Sequence, residues 1–128
     1  MANKILLVED HEEIWDFLSR RLKRRGFDVV IAQDGQQGLD MACAENPNVI
    51  LLDMNLPVMD GWTVAKHLKD NVVTSGIPVI ALTAHALSGD REKALEDGCD
   101  DYHPKPVDFS RLLSQIETAL GRVVATGA

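Results

Sequence analysis

Four apolar runs punctuate the chain: Ile5-Leu6-Leu7-Val8 after Lys4, Val29-Val30-Ile31-Ala32, Val49-Ile50-Leu51-Leu52, and Pro78-Val79-Ile80-Ala81-Leu82. None alternates with polar residues, so each fits a strand buried on both faces, as in a parallel sheet. Between them the apolar spacing becomes helical. Ile14, Phe17, Leu18 and Leu22 mark a helix from His11 to Arg25. Gly26 is its stop, and Arg21, Lys23, Arg24 and Arg25 lie where a helix end favours cations. Asp34 suits the N-cap of a second helix through Glu45, with Leu39, Ala42 and Cys43 facing inward and Asn46-Pro47 ending it. A third helix covers Trp62 to Lys69 and buries Val64, Ala65 and Leu68. A fourth runs from about Gly89 to Asp97 with only Ala94 and Leu95 as apolar anchors, so it packs weakly. A short fifth strand lies near Asp101-Tyr102-His103. The last helix starts at the N-cap candidate Asp108 and carries the stripe Phe109, Leu112, Leu113, Ile116 and Leu120. Five strands alternating with five helices predict a three-layer α/β/α sandwich around a parallel sheet.

Length and composition narrow the function classes. A chain of 128 residues supports one domain with one good core. The seven residues from Arg122 to Ala128 carry too little to fold alone and are expected to fray. With 13 basic against 20 acidic residues the formal charge is −7, which argues against nucleic acid or an anionic membrane as partner. No apolar run reaches the length of a membrane span, and Met1-Ala2-Asn3-Lys4 lacks the pattern of a signal peptide. Cys43 and Cys99 are far apart and read as small core residues of a cytoplasmic protein, not as a disulfide. His11, His67, His85 and His103 show no metal-ligand spacing.

The chemistry gathers where the strands end. Glu9 and Asp10 follow the first, Asp53 ends the third, Thr83 ends the fourth and Lys105 lies past the fifth. A parallel sheet brings all of these to its carboxyl edge, where open α/β folds bind ligands. Any one of them alone reads more simply as a polar strand terminus. Together they are three carboxylates, a hydroxyl and an ammonium at one edge. At about 5 Å and an effective dielectric near 20, each acid pair repels by roughly 3 kcal/mol. Lys105 offsets part of that repulsion. A hard divalent ion would offset most of the rest, and Mg²⁺ suits two carboxylates with waters and a phosphoryl oxygen. Such a site meets the needs of phosphoryl transfer, which asks for charge neutralisation and positioning, with a carboxylate able to act as nucleophile.

Over Lys4 to Leu120 the chain resembles the receiver domain of two-component response regulators. The motifs are Val8-Glu9-Asp10, Leu52-Asp53-Met54-Asn55-Leu56-Pro57-Val58-Met59-Asp60-Gly61, Ala81-Leu82-Thr83-Ala84 and Tyr102-His103-Pro104-Lys105-Pro106. The resemblance implies a flavodoxin-like fold with strand order 2-1-3-4-5, an order for which a receiver protein is itself a standard example. It implies a receiver domain over 1–121, a short tail over 122–128 and no output domain. Asp53 is then the phosphoacceptor and Asp10 the direct Mg²⁺ ligand. Glu9 acts mainly through water, and Asn55 gives its backbone carbonyl to the ion. Thr83 and Lys105 bind phosphoryl oxygens. Tyr102 is the switch aromatic, working with Thr83 and the face made by the fourth helix, fifth strand and fifth helix. The Lys105–Pro106 bond is expected to be cis. Asn55 and His85 flank the phosphoryl position and are candidates for tuning its lifetime, although His85 reads equally well as an exposed loop residue.

The partners implied are a sensor histidine kinase or histidine phosphotransfer protein as donor and an unnamed protein target. The state implied is a monomer or a phosphorylation-dependent homodimer, in the cytoplasm. The protein would catalyse only its own phosphorylation and dephosphorylation. An aspartate-dependent phosphohydrolase would need a second acid where Asn55 stands. A flavin carrier would need a phosphate-cradling loop where Glu9-Asp10-His11-Glu12 stands, and those acids repel phosphate. A receiver that binds partners without phosphorylation is disfavoured by the intact site.

Overall fold

The computed structural model describes residues 3–84, 90–96 and 98–127. Five strands, β1 (Lys4–Val8), β2 (Asp28–Ala32), β3 (Val49–Asp53), β4 (Val79–Thr83) and β5 (Asp101–Pro104), alternate with five helices. These are α1 (Glu12–Arg24), α2 (Gly35–Glu45), α3 (Gly61–Asp70), α4 (Asp90–Glu96) and α5 (Phe109–Gly127). All strand pairs are parallel, in the order β2-β1-β3-β4-β5. That is the predicted sheet and order. The fifth helix continues past Leu120 to Gly127.

Residue parity divides the core. Leu6, Val8, Ile50, Leu52, Val79 and Ala81 face α2 and α3, where they meet Ala42, Val64, Ala65 and Leu68. Ile5, Leu7, Val49, Leu51, Ile80 and Leu82 face α1 and α5, where they meet Leu18, Leu22, Leu112, Ile116 and Ala119. This two-sided burial is why β1, β3 and β4 read as unbroken apolar runs; β2, at the sheet edge, is only half-buried from Val29 to Ile31, contrary to the expectation of a strand covered on both faces. Asp34 caps α2 by accepting the Gln37 N–H at 2.8 Å, and Asp60 caps α3 by accepting the Thr63 N–H at 2.9 Å.

Two expected core positions lie elsewhere. Phe17 is 42% exposed. The inward face of α1 is Leu18, Ser19 and Leu22, flanked by Ile14 and Trp15, which leaves Phe17 beside the stripe with the Arg21 guanidinium 4.9 Å over its ring. Cys43 is exposed as well, while Cys99 is buried as expected. The buried line on α2 is Gly35, Gly38 and Ala42, and one further residue turns Cys43 about 100° away from it. The glycines allow close packing on two sides: a Cβ on Gly38 would stand 3.0 Å from Val8 Cγ1 of the sheet, and one on Gly35 would come 2.9 Å from Val64 Cγ2 of α3.

Strand register fixes the working edge. Val8 pairs with both Ala32 and Leu52, Asp53 with Leu82, and Thr83 with Pro104. The residues at and just beyond these positions therefore share one end of the sheet.

Candidate functional site

Asp53 is the last residue of β3 and is fully buried, as is Glu9 immediately after β1. Lys105, in the connection after β5, reaches back to both. Its Nζ lies 3.0 Å from Glu9 Oε1 and 3.2 Å from Asp53 Oδ1. The Lys105 backbone is held from the other side, its N–H donating to the Thr83 carbonyl at 2.7 Å. Thr83 itself is 2% exposed at the end of β4. The Asn55 N–H donates to Asp53 Oδ1 at 3.2 Å. The loop after β3 closes tightly: Gly61 N–H donates to the Met54 carbonyl at 3.1 Å, and a Cβ on Gly61 would come 2.6 Å from the Asp53 carbonyl oxygen. Within that loop Val58 has φ +70° while Met59 N–H donates to the Pro57 carbonyl, a strained three-residue turn for a β-branched residue. The Lys105–Pro106 bond is cis.

The electrostatics of the site are unequal. Burial pushes the Asp53 carboxyl up to about 6, and the charge of Glu9 adds to the rise; Lys105 and the Asn55 N–H pull the other way. Burial would raise Glu9 too, but its hydrogen bond and charge contact with Lys105 outweigh this and hold it below the usual carboxylate value. Burial favours the neutral amine of Lys105, yet Glu9 and Asp53 together raise it. One ammonium thus serves two buried acids. Glu9 keeps the charge, and Asp53 is left short of a cation.

The unmet demand is visible in the atoms. Asp53 Oδ2 is buried without a hydrogen-bond partner. Asp10 Oδ1 is likewise buried with no hydrogen bond, although His11 Nδ1 makes an ion-pair contact with it at 3.3 Å. Ligand atoms of Glu9, Asp10, His11 and Asp53 all lie within 4.8 Å of one another. Two lone carboxylate oxygens facing a common space, among oxygen-rich neighbours, fit a hard divalent cation.

The predicted set is therefore brought together at one edge: Glu9, Asp10, Asp53, Asn55, Thr83 and Lys105. Tyr102 lies on β5, half-buried against the core on the α2–α3 side. His85 lies outside the described residues. Spacing rules pass over His11, which joins the cluster through Glu9 Oε2 at 3.1 Å and is raised by that hydrogen bond and by the charge of Asp10. Its signal was adjacency, since it directly follows Glu9-Asp10.

Fold and site together define a class, the α/β domains with a cation-seeking acidic centre at the carboxyl end of a parallel sheet. Comparison with known proteins narrows it. A family model described as the response regulator receiver domain matches residues 5–117. The polar-differentiation response regulator DivK of Brucella ovis is 35% identical over 121 residues, covering 94% of this chain and 98% of that protein. Among solved structures, the receiver domain of sensor histidine kinase PA1611 from Pseudomonas aeruginosa, with a magnesium ion in its active-site cleft, superposes with a TM-score of 0.87 at 34% identity. It covers 94% of this chain and 99% of that one. The receiver domain of the Francisella response regulator 1452 gives a TM-score of 0.89 at 28% identity, with coverage of 94% and 98%. The chain belongs to the response regulator receiver domain family, the phosphoacceptor modules of two-component signalling.

Proposed function

We propose that Asp53 accepts a phosphoryl group from a phosphohistidine on a sensor histidine kinase or phosphotransfer protein. The observation that carries this is the lone Oδ2 of a fully buried Asp53, with the Lys105 ammonium 3.2 Å from its other oxygen. A carboxylate oxygen of Asp53 attacks phosphorus, the P–N bond breaks, and the departing imidazole leaves with its electron pair and takes up a proton. Lys105 and the Thr83 hydroxyl receive the charge that spreads onto the phosphoryl oxygens. Asn55 helps hold Asp53 in place through its N–H and stands where it can slow an attacking water. Asp10 and Asp53 would hold Mg²⁺ directly, with Glu9 acting through water and Asn55 through its backbone carbonyl. The magnesium ion in the Pseudomonas receiver supports this choice of metal. When bound, Mg²⁺ supplies the positive charge that the two lone carboxylate oxygens lack.

The same reading makes the chain a signalling phosphoacceptor whose only catalysis is on itself. Its output is a protein target, not nucleic acid or membrane, in keeping with the charge of −7. No helix among the described residues is long and apolar enough to cross a membrane. Cys43 and Cys99 are thiols and not a disulfide, which suits the reducing cytoplasm.

Intact-mass spectra after incubation with acetyl phosphate and Mg²⁺ test the assignment. Wild type should gain one phosphoryl mass, and Asp53→Asn should gain none. Equal incorporation by both proteins would remove Asp53 from the role.

A further inference from the structure

We propose that His103 is a positioning residue for Lys105: its ring clasps the β5–α5 connection and so fixes where the Lys105 ammonium stands. The inference rests on the reading of Lys105 as the phosphoryl-binding cation.

His103 is 1% exposed, the one buried residue of the short strand Asp101–Pro104. Both ring nitrogens are engaged. The Asp108 N–H donates to Nε2 at 3.1 Å, so Nε2 carries no proton. The neutral ring then bears its proton on Nδ1, which donates to Gln115 Oε1 at 2.7 Å. That contact orients the Gln115 amide, whose Nε2 donates to the Tyr102 carbonyl at 2.8 Å on the edge strand β5. Each bond requires the next, so tautomer and amide orientation are set together.

The Asp108 end explains the need. Asp108 stands at the N-cap position of α5, its Oδ1 accepting the Arg111 N–H at 3.3 Å. In a reciprocal capping box the third helical residue returns a side-chain acceptor to the N-cap N–H. Here that residue is Arg111, a donor only, so the Asp108 N–H turns to His103, five residues upstream. One ring thereby closes both ends of the segment 103–108. Lys105 lies inside it, its backbone on Thr83 and its Nζ between Glu9 and Asp53. An apolar side chain of similar size would fill the volume but leave the Asp108 N–H and Gln115 Oε1 unmatched. The connection would then lose its fixed path, and the lysine its fixed reach.

Three proteins test this: wild type, His103→Leu, which removes both contacts, and His103→Gln, whose terminal atoms lie as many bonds from Cα as Nε2 does. Lys105 side-chain NMR signals are read without metal. Phosphoryl uptake from acetyl phosphate is read at saturating Mg²⁺, with Mg²⁺ affinity measured separately. We expect the Nδ1–H tautomer in wild type. His103→Leu should show a shifted Lys105 signal, a Mg²⁺ affinity no weaker than wild type and an uptake rate lower by on the order of tenfold or more. His103→Gln should restore most of both. A folded His103→Leu with wild-type rate and Lys105 signal would overturn the proposal, as would an Nε2–H tautomer or no rescue by glutamine. If wild type takes up no phosphoryl group, the phosphoacceptor reading fails, yet the Lys105 signals still decide for or against the clasp. If His103→Leu does not fold, the tautomer and the His103→Gln signals decide it.

Discussion

Glu9 and Asp53 compete for one lysine, and the loser carries a measurable cost. Asp53 is raised from an ordinary 3.8 to about 6. Between those values the folded chain holds a proton that the unfolded chain has released. Its contribution to stability is therefore fully present below pH 3.8 and lost as pH rises through about 6. A shift of this size corresponds to roughly 3 kcal/mol for a buried group. In chelator at pH 8, Asp53→Asn should be more stable than wild type by roughly 2 kcal/mol, since it keeps the shape and drops the charge. Near pH 4 the gain should shrink toward zero. Urea melts at the two pH values check this, and an equal gain at both would mean that ionisation of Asp53 is not the source. The sequence made Asp53, Asp10 and Thr83 legible because each follows an apolar run, which places it at a strand end, and Lys105 because it lies just past the short strand near Asp101-Tyr102-His103. His11 and His103 were not legible in the same way. Their roles depend on partners that only folding supplies: Glu9 across a turn for one, Asp108 and Gln115 for the other.

At the scale of elements, α4 is the exception. The strands bury every residue from Ile5 to Val8 and from Val49 to Leu52, whereas Leu95 of α4 remains 39% exposed. A tie from α4 to α3 is the Lys93 ammonium, 4.8 Å over the ring of Trp62. An element with so little apolar anchorage can shift at small cost. A phosphoryl group on Asp53 would add charge and acceptor oxygens beside Thr83. Thr83 shares its carbonyl with Lys105 and its register with Pro104, so a change there reaches β5 directly. Tyr102 on that strand is half-buried and able to pack in or swing out. With beryllofluoride standing in for the phosphoryl group, amide shifts should spread from Asp53 to Thr83, Tyr102 and α4. Shifts that stop at the loops touching Asp53 would show that this face does not carry the signal. Existence and order of the elements were legible because runs and helical stripes differ in period. Facing was less so: Phe17 and Cys43 belong to apolar classes, but close packing of α2 through Gly35 and Gly38, and the Trp15–Leu18–Leu22 face of α1, turned them outward.

For the whole molecule, the acidic centre lies where the two apolar layers meet at one end of the sheet. Its residues come from three strand ends and the β5–α5 connection, so relieving its repulsion bears on the whole fold and not on one loop. A cation that binds only the folded arrangement must stabilise it by mass action. Among the described residues, Asp10 Oδ1 and Asp53 Oδ2 are the buried side-chain oxygens without a hydrogen bond, so they stand to gain most. At tenfold over its dissociation constant, Mg²⁺ should add about 1.4 kcal/mol, or roughly 5 °C in melting temperature for a domain of this size. The effect should saturate with concentration and exceed that of NaCl at equal ionic strength, because screening alone acts weakly on buried pairs. It should also be larger at pH 8 than at pH 5, where Asp53 holds its proton and binding must displace it. Asp10→Asn removes one of the two lone anionic oxygens and should abolish most of the gain while leaving the metal-free melt cooperative. Melting curves across Mg²⁺ concentration for the two proteins provide the check. An Asp10→Asn protein that gains as much as wild type would take Asp10 out of the cation's coordination and leave its ion-pair contact with His11 as the role of Oδ1.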